Sequence, residues 1–119
     1  RVFEYAHDMA SAFAAADAVA CRSGAATVSE ISALGIPALY VPLPHGNGEQ
    51  ALNAGPAVAA GAALLVPDAE LTAAVLARAV SPLVLEPTTR AAMRQAATRV
   101  GIGDGAQRLA DLIEEVLPR

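Results

Sequence analysis

Short apolar runs at residues 18–21, 38–41 and 62–66 are each bounded by turn-forming residues, and each predicts a buried strand. Residues 2–5, rich in β-branched and aromatic side chains, predict a further strand at the start. Between these runs the spacing predicts helices over 7–15, 25–34 and 49–60. Gly35 stands at the C-cap position of the second helix with Pro37 just beyond, and Gly61 ends the third. Pro42 and Pro67 close the strands that precede them. Strands alternating with helices in this way predict βαβ units and a parallel sheet. After Pro67 the strands stop. Leu71, Val75, Leu76 and Ala79 recur at helical spacing, and a second helix is expected from Pro87, a residue tolerated in a first turn, to Val100. Asp104 is a candidate N-cap between two glycines. Leu109, Leu112, Ile113 and Val116 then form an i, i+3, i+4, i+7 stripe on a last helix. The expected fold class is α/β: part of a doubly wound parallel sheet with a helical C-terminal tail.

Composition refines this picture. The 119 residues are enough for one domain and one core. Hydrophobic residues make up 55%, mostly Ala, Val and Leu with only two Tyr and two Phe, which suits closely packed helix-on-sheet layers. Eight Arg, no Lys and twelve acids give a net charge of -4, without the basic stripe of a nucleic-acid binder, so no nucleic-acid partner is expected. Cys21 is alone, which precludes an internal disulfide and fits a reducing cytoplasm. No run approaches the ~20 apolar residues that span a bilayer. The opening residues show neither an initiator Met nor a signal-peptide pattern. The N-terminus is therefore expected to be a cut, leaving one sheet edge open and apolar.

The segment Cys21-Arg22-Ser23-Gly24-Ala25-Ala26-Thr27-Val28-Ser29-Glu30 carries the most chemistry. A buried strand ends, a turn containing Gly24 follows, and a helix begins. Ligands of open parallel sheets bind beyond the carboxyl ends of the strands, and a helix N-terminus offers unpaired N–H groups and partial positive charge to a diphosphate. Gly24 and Ala25 would let that backbone approach phosphate oxygens closely. Glu30, about one turn in, has two carboxylate oxygens that match the two adjacent hydroxyls of a ribose. Spacing alone favours a different use, in which Thr27 and Glu30 form a capping box.

The second segment is Pro42-Leu43-Pro44-His45-Gly46-Asn47-Gly48-Glu49-Gln50, followed by Asn53. It leaves another strand on the same edge of the sheet, and Glu49 and Gln50 open a helix from which they could reach sugar hydroxyls. Acidic residues are also favoured in a first helical turn for electrostatic reasons alone. His7 and His45 are the only histidines, and neither has a partner at metal-ligand spacing, so no metal is expected. Arg22 could neutralise phosphate charge, but an arginine ending a strand is as often a structural ion-pair partner. Cys21 has no visible base and reads as a small buried residue.

Together, Ser23-Gly24-Ala25-x-Thr27-x-Ser29-Glu30, Gly35-x-Pro37-Ala38-x-x-x-Pro42, His45 and Gln50-x-x-Asn53-Ala54 resemble the MurG family of glycosyltransferases (family 28), with Tyr5-x-x-Asp8-Met9 and Ala16-Asp17 fitting the same pattern. The resemblance is strongest from Tyr5 to Asn53 and weak after Pro67. It implies a GT-B architecture of two Rossmann-like domains, residues 1–119 being the later part of the UDP-N-acetylglucosamine-binding domain. The earlier half of that domain, the acceptor domain, the membrane contact and any general base would lie upstream.

By position, the resemblance places Ala6 against uracil through its backbone, with Met9 nearby. It puts Ala25, Ala26 and Thr27 at the diphosphate, Glu30 at the ribose, and Glu49 and Gln50 at the N-acetylglucosamine ring, with Ser23, Gly24, His45 and Asn53 also among the substrate-binding residues. The implied reaction is inverting transfer of N-acetylglucosamine to an undecaprenyl-linked muramyl-pentapeptide in peptidoglycan synthesis, without cofactor or metal, at the inner face of the cell membrane. The fragment alone would be inactive. One departure is Glu49, where the family commonly has a first Gln of a pair. Other GT-B enzymes, such as an antibiotic glycosyltransferase or a UDP-N-acetylglucosamine 2-epimerase, and a non-catalytic α/β interaction module, are the alternatives.

Overall fold

The computed structural model describes residues 1–117. The chain runs α1 (Met9–Ala15), β1 (Val19–Cys21), α2 (Ala25–Leu34), β2 (Ala38–Tyr40), α3 (Glu49–Ala59), β3 (Ala63–Leu65), a 3₁₀ turn (Asp68–Glu70), α4 (Ala73–Leu85), α5 (Pro87–Ala97) and α6 (Gly105–Val116). The three strands are parallel in the order β1-β2-β3, with Val19 opposite Ala38 and Ala38 opposite Ala63. Every residue of the central strand β2 is buried.

Side chains alternate across the sheet because successive residues of a strand point to opposite faces. On one face Ala38 and Tyr40 pack with Val28 and Ile31 of α2, with Ala54 and Ala57 of α3, and with the last turn of α5. On the other, Leu39 packs with Leu83 of α4 and Met93 of α5. Alanine dominates the first cluster, so helices lie close over the strands, as the composition predicts. This is the doubly wound α/β arrangement expected from the pattern.

Local signals set the helix ends. Asp8 caps α1 by accepting from the Ser11 N–H at 3.0 Å, so this helix begins at Met9 rather than at His7. Gly35 closes α2 in the left-handed region at φ 67°, its own N–H and that of Ile36 returning to the Ser32 and Ile31 carbonyls at 3.1 Å. Thr72 caps α4, and Pro87 opens α5. Two expectations fail. Residues 2–5 form no strand: Val2 is fully exposed and Phe3 is 73% exposed, because no strand among the described residues offers them a ladder. Asp104 occupies the N-cap position of α6 but does not cap it; its carboxylate pairs with Arg108 at 2.9 Å instead. The α6 stripe of Leu109, Leu112, Ile113 and Val116 faces solvent. No helix among the described residues is long and apolar enough to cross a membrane.

Candidate functional site

The turn from β1 into α2 leaves backbone donors open. Gly24 precedes the helix at φ -62°, ψ 149°, and no side chain caps it. The first helical bond runs from Val28 N–H to the Gly24 carbonyl at 2.9 Å, so the N–H groups of Ala25, Ala26 and Thr27 have no intrahelical acceptor. No acid stands in this first turn to offset its partial positive charge. A Cβ on Gly24 would meet only Thr27 Oγ1, at an ordinary 3.9 Å. The protein's own packing leaves the space over this turn empty.

The capping-box reading of Thr27 and Glu30 does not hold. The helix starts at Ala25, one turn earlier than that reading requires, which puts Thr27 third in the helix and Glu30 in its second turn. Glu30 is exposed, and among the described residues its carboxylate accepts no hydrogen bond and pairs with no cation. Met9 and Phe13 of α1, Cys21 and Arg22 at the end of β1, and Thr27 and Glu30 of α2 line one cleft of about 500 Å³. A second groove of about 440 Å³ continues between α1 and α2, again touching Met9, Phe13 and Glu30. Ala6 is exposed ahead of α1 and does not line the cleft. Burial pushes the Cys21 thiol up from its usual range, so it remains protonated at neutral pH.

Arg22 is held. Its Nη1 donates to the carbonyls of Val41 at 3.2 Å and Pro42 at 3.1 Å, and to the Asp68 carboxylate at 2.5 Å. One guanidinium thereby ties the ends of β1 and β2 to the 3₁₀ turn after β3, the structural use of a strand-ending arginine.

The second segment divides in two. His45 and Glu49 are exposed, His45 on the loop and Glu49 in the first turn of α3 behind Gly48, which caps with φ 73°. Neither lines the cleft. Gln50 and Asn53 point back to the first segment. Gln50 Oε1 accepts from the backbone N–H of Ser23 at 3.2 Å and of Leu43 at 2.9 Å. The Ser23 hydroxyl donates to the Gln50 carbonyl at 2.7 Å, and Asn53 Nδ2 donates to the Ser23 carbonyl at 3.1 Å. Ser23 is fully buried, so its side chain is committed inside the protein rather than presented to a ligand. The bonds between Ser23 and α3, which join residues 27 or 30 positions apart, and the Asp68 partner of Arg22, 46 positions away, are not legible in the local sequence. The one signal available was the polarity of Ser23, Gln50 and Asn53 beside strand ends. No group of three or more His, Cys, Asp or Glu able to hold a metal occurs among the described residues.

A parallel α/β sheet with an uncapped helix N-terminus at its carboxyl edge places the chain in the class of open α/β domains that bind ligands beyond the carboxyl ends of their strands. Residues 1–115 match the glycosyltransferase family 28 C-terminal domain, and the chain belongs to that family. It is 58% identical over 106 residues to the UDP-N-acetylglucosamine--N-acetylmuramyl-(pentapeptide) pyrophosphoryl-undecaprenol N-acetylglucosamine transferase of Mycobacterium avium, covering 89% of this chain and 26% of that protein. The protein of the same description from Corynebacterium efficiens is 53% identical over 109 residues, covering 92% of this chain and 30% of its own length. The crystal structure of Acinetobacter baumannii MurG superposes with a TM-score of 0.85 at 30% identity, over 98% of this chain and 33% of that one. The chain thus spans about a third or less of the length of these relatives.

Proposed function

We propose that this chain is the donor-binding part of an N-acetylglucosaminyltransferase of peptidoglycan synthesis, and that it holds the UDP of UDP-N-acetylglucosamine. The observation that carries the reading is the uncapped start of α2, with three unpaired N–H groups, beside the unpaired Glu30. In this reading the diphosphate lies against Ala25, Ala26 and Thr27, and Glu30 accepts from both ribose hydroxyls. Met9 and the backbone near Ala6 flank uracil, while Glu49 and Gln50 face the sugar. The resemblance implies a single inverting displacement in which the acceptor hydroxyl attacks the anomeric carbon and UDP leaves. As the bond to UDP breaks, charge grows on the diphosphate, where fixed backbone donors lower the barrier without reorganising. The acceptor, a lipid-linked muramyl-pentapeptide, would be bound by parts of the protein outside these residues, at the inner membrane face. The lengths of the relatives and their printed names support this division.

The test is calorimetry of UDP with the full-length protein. Glu30→Ala should weaken binding by about 1–3 kcal/mol, the loss of charge-assisted hydrogen bonds to ribose. Unchanged UDP affinity in a folded variant would refute the assignment of Glu30.

A further inference from the structure

We propose that Gln50, reinforced by Ser23 and Asn53, is a positioning residue that locks the sugar-side helix α3 to the phosphate-side turn before α2; the inference rests on the nucleotide reading above. Ser23 is 0% exposed, so its backbone N–H and carbonyl are cut off from water and need partners. Both partners come from α3: Gln50 Oε1 takes the N–H and Asn53 Nδ2 supplies the carbonyl. The Ser23 hydroxyl adds a third link, to the Gln50 carbonyl. Gln50 Oε1 also takes the Leu43 N–H, so one side-chain oxygen gathers the end of β2, the end of β1 and the start of α3. Ser23 is followed directly by Gly24, the residue that opens α2. A shift of Gln50 therefore passes through Ser23 to the N–H groups that would hold the diphosphate.

The same bonds fix the amide's orientation. Both groups facing Oε1 are N–H donors, so the atom there is the oxygen. Nε2, which makes no hydrogen bond among the described residues, remains free to donate, and in the nucleotide reading it is the donor on the sugar side. The neighbouring Glu49 can only accept.

UDP lacks the sugar, so a residue that merely touched the sugar would leave UDP affinity unchanged. In the full-length protein, Gln50→Leu removes the shared acceptor and should raise the UDP Kd at least tenfold. Gln50→Glu keeps an oxygen for both N–H groups and should stay within threefold of the wild type for UDP, while its KM for UDP-N-acetylglucosamine rises because the donor is gone. Ala54→Gly, one turn along α3 and outside the lock, controls for general loosening and should leave UDP affinity within twofold. Should Gln50→Leu fail to fold, Asn53→Ala, which strips only the Ser23 carbonyl of its partner, replaces it with the same expected direction. UDP affinity unchanged in folded Gln50→Leu or Asn53→Ala overturns the lock and leaves the nucleotide site standing. A wild-type protein that does not bind UDP overturns the nucleotide reading and this inference with it.

Discussion

Replacing Gly24 by alanine separates a glycine needed for folding from one needed for a ligand. Its φ of -62° and ψ of 149° are open to any residue, and an added methyl would touch only Thr27 Oγ1 at 3.9 Å. Alanine is a poorer N-cap than glycine by about 0.5–1 kcal/mol, but it restricts the unfolded chain by about 0.4–1 kcal/mol. The two nearly cancel, so folding stability should change by no more than about 0.5 kcal/mol. Binding should respond differently. The methyl enters the open space over the α2 N-terminus, where the diphosphate would have to come within hydrogen-bond distance of the backbone. Displacing it from even one donor forfeits about 1.5–3 kcal/mol, at least a tenfold loss in affinity. Denaturant titration and UDP calorimetry on full-length wild type and Gly24→Ala measure both quantities. Normal stability with normal UDP affinity would place the diphosphate elsewhere and refute the reasoning. A loss of stability above about 2 kcal/mol would refute the claim that the space is empty.

Three further predictions concern the scaffold. A Cβ on Gly101 would lie 2.4 Å from the Ser32 carbonyl oxygen and 3.0 Å from Ala33 Cα, both backbone of α2, so Gly101→Ala should destabilise by about 1–3 kcal/mol. In Gly55→Ala, where nothing lies within 4 Å, helix propensity should add about 0.5–1 kcal/mol, and a denaturation midpoint equal in the two variants would contradict this. Tyr40 is fully buried with a hydroxyl that meets no partner in hydrogen-bond geometry, and burial, with a smaller contribution from Cys21, pushes its pKa from 10 up to about 12. The raised value means the folded state resists ionisation. Its stability should be complete below pH 10 and fall between pH 10 and 12 by about 3 kcal/mol, as the unfolded chain ionises first. Tyr40→Phe should be at least as stable as wild type at pH 7 and lose less on going to pH 11, measured by denaturant titration at both values.

The sequence reading located the strands and most helix ends because each was written locally: apolar runs between Pro and Gly, Gly35 at a helix end, Pro87 at a helix start. It failed where the outcome depends on what lies across space. Val2-Phe3-Glu4-Tyr5 has the residues of a strand, but a strand requires a partner, and none of the described residues pairs with it. Thr27 and Glu30 have capping-box spacing, yet the helix begins at Ala25, so the cap falls on Gly24 and both side chains are released from that duty. At the site, Met9, Thr27 and Glu30 line one cleft. Ser23, Gln50 and Asn53 instead turn towards each other, a consequence of burying Ser23 that no local pattern encodes.

A crystal structure of the full-length protein with UDP bears most directly on this reading. The diphosphate oxygens should lie within about 3.2 Å of the N–H groups of Ala25, Ala26 and Thr27, with both ribose hydroxyls donating to Glu30. UDP bound at another surface, with the start of α2 and Glu30 still solvated, would contradict it.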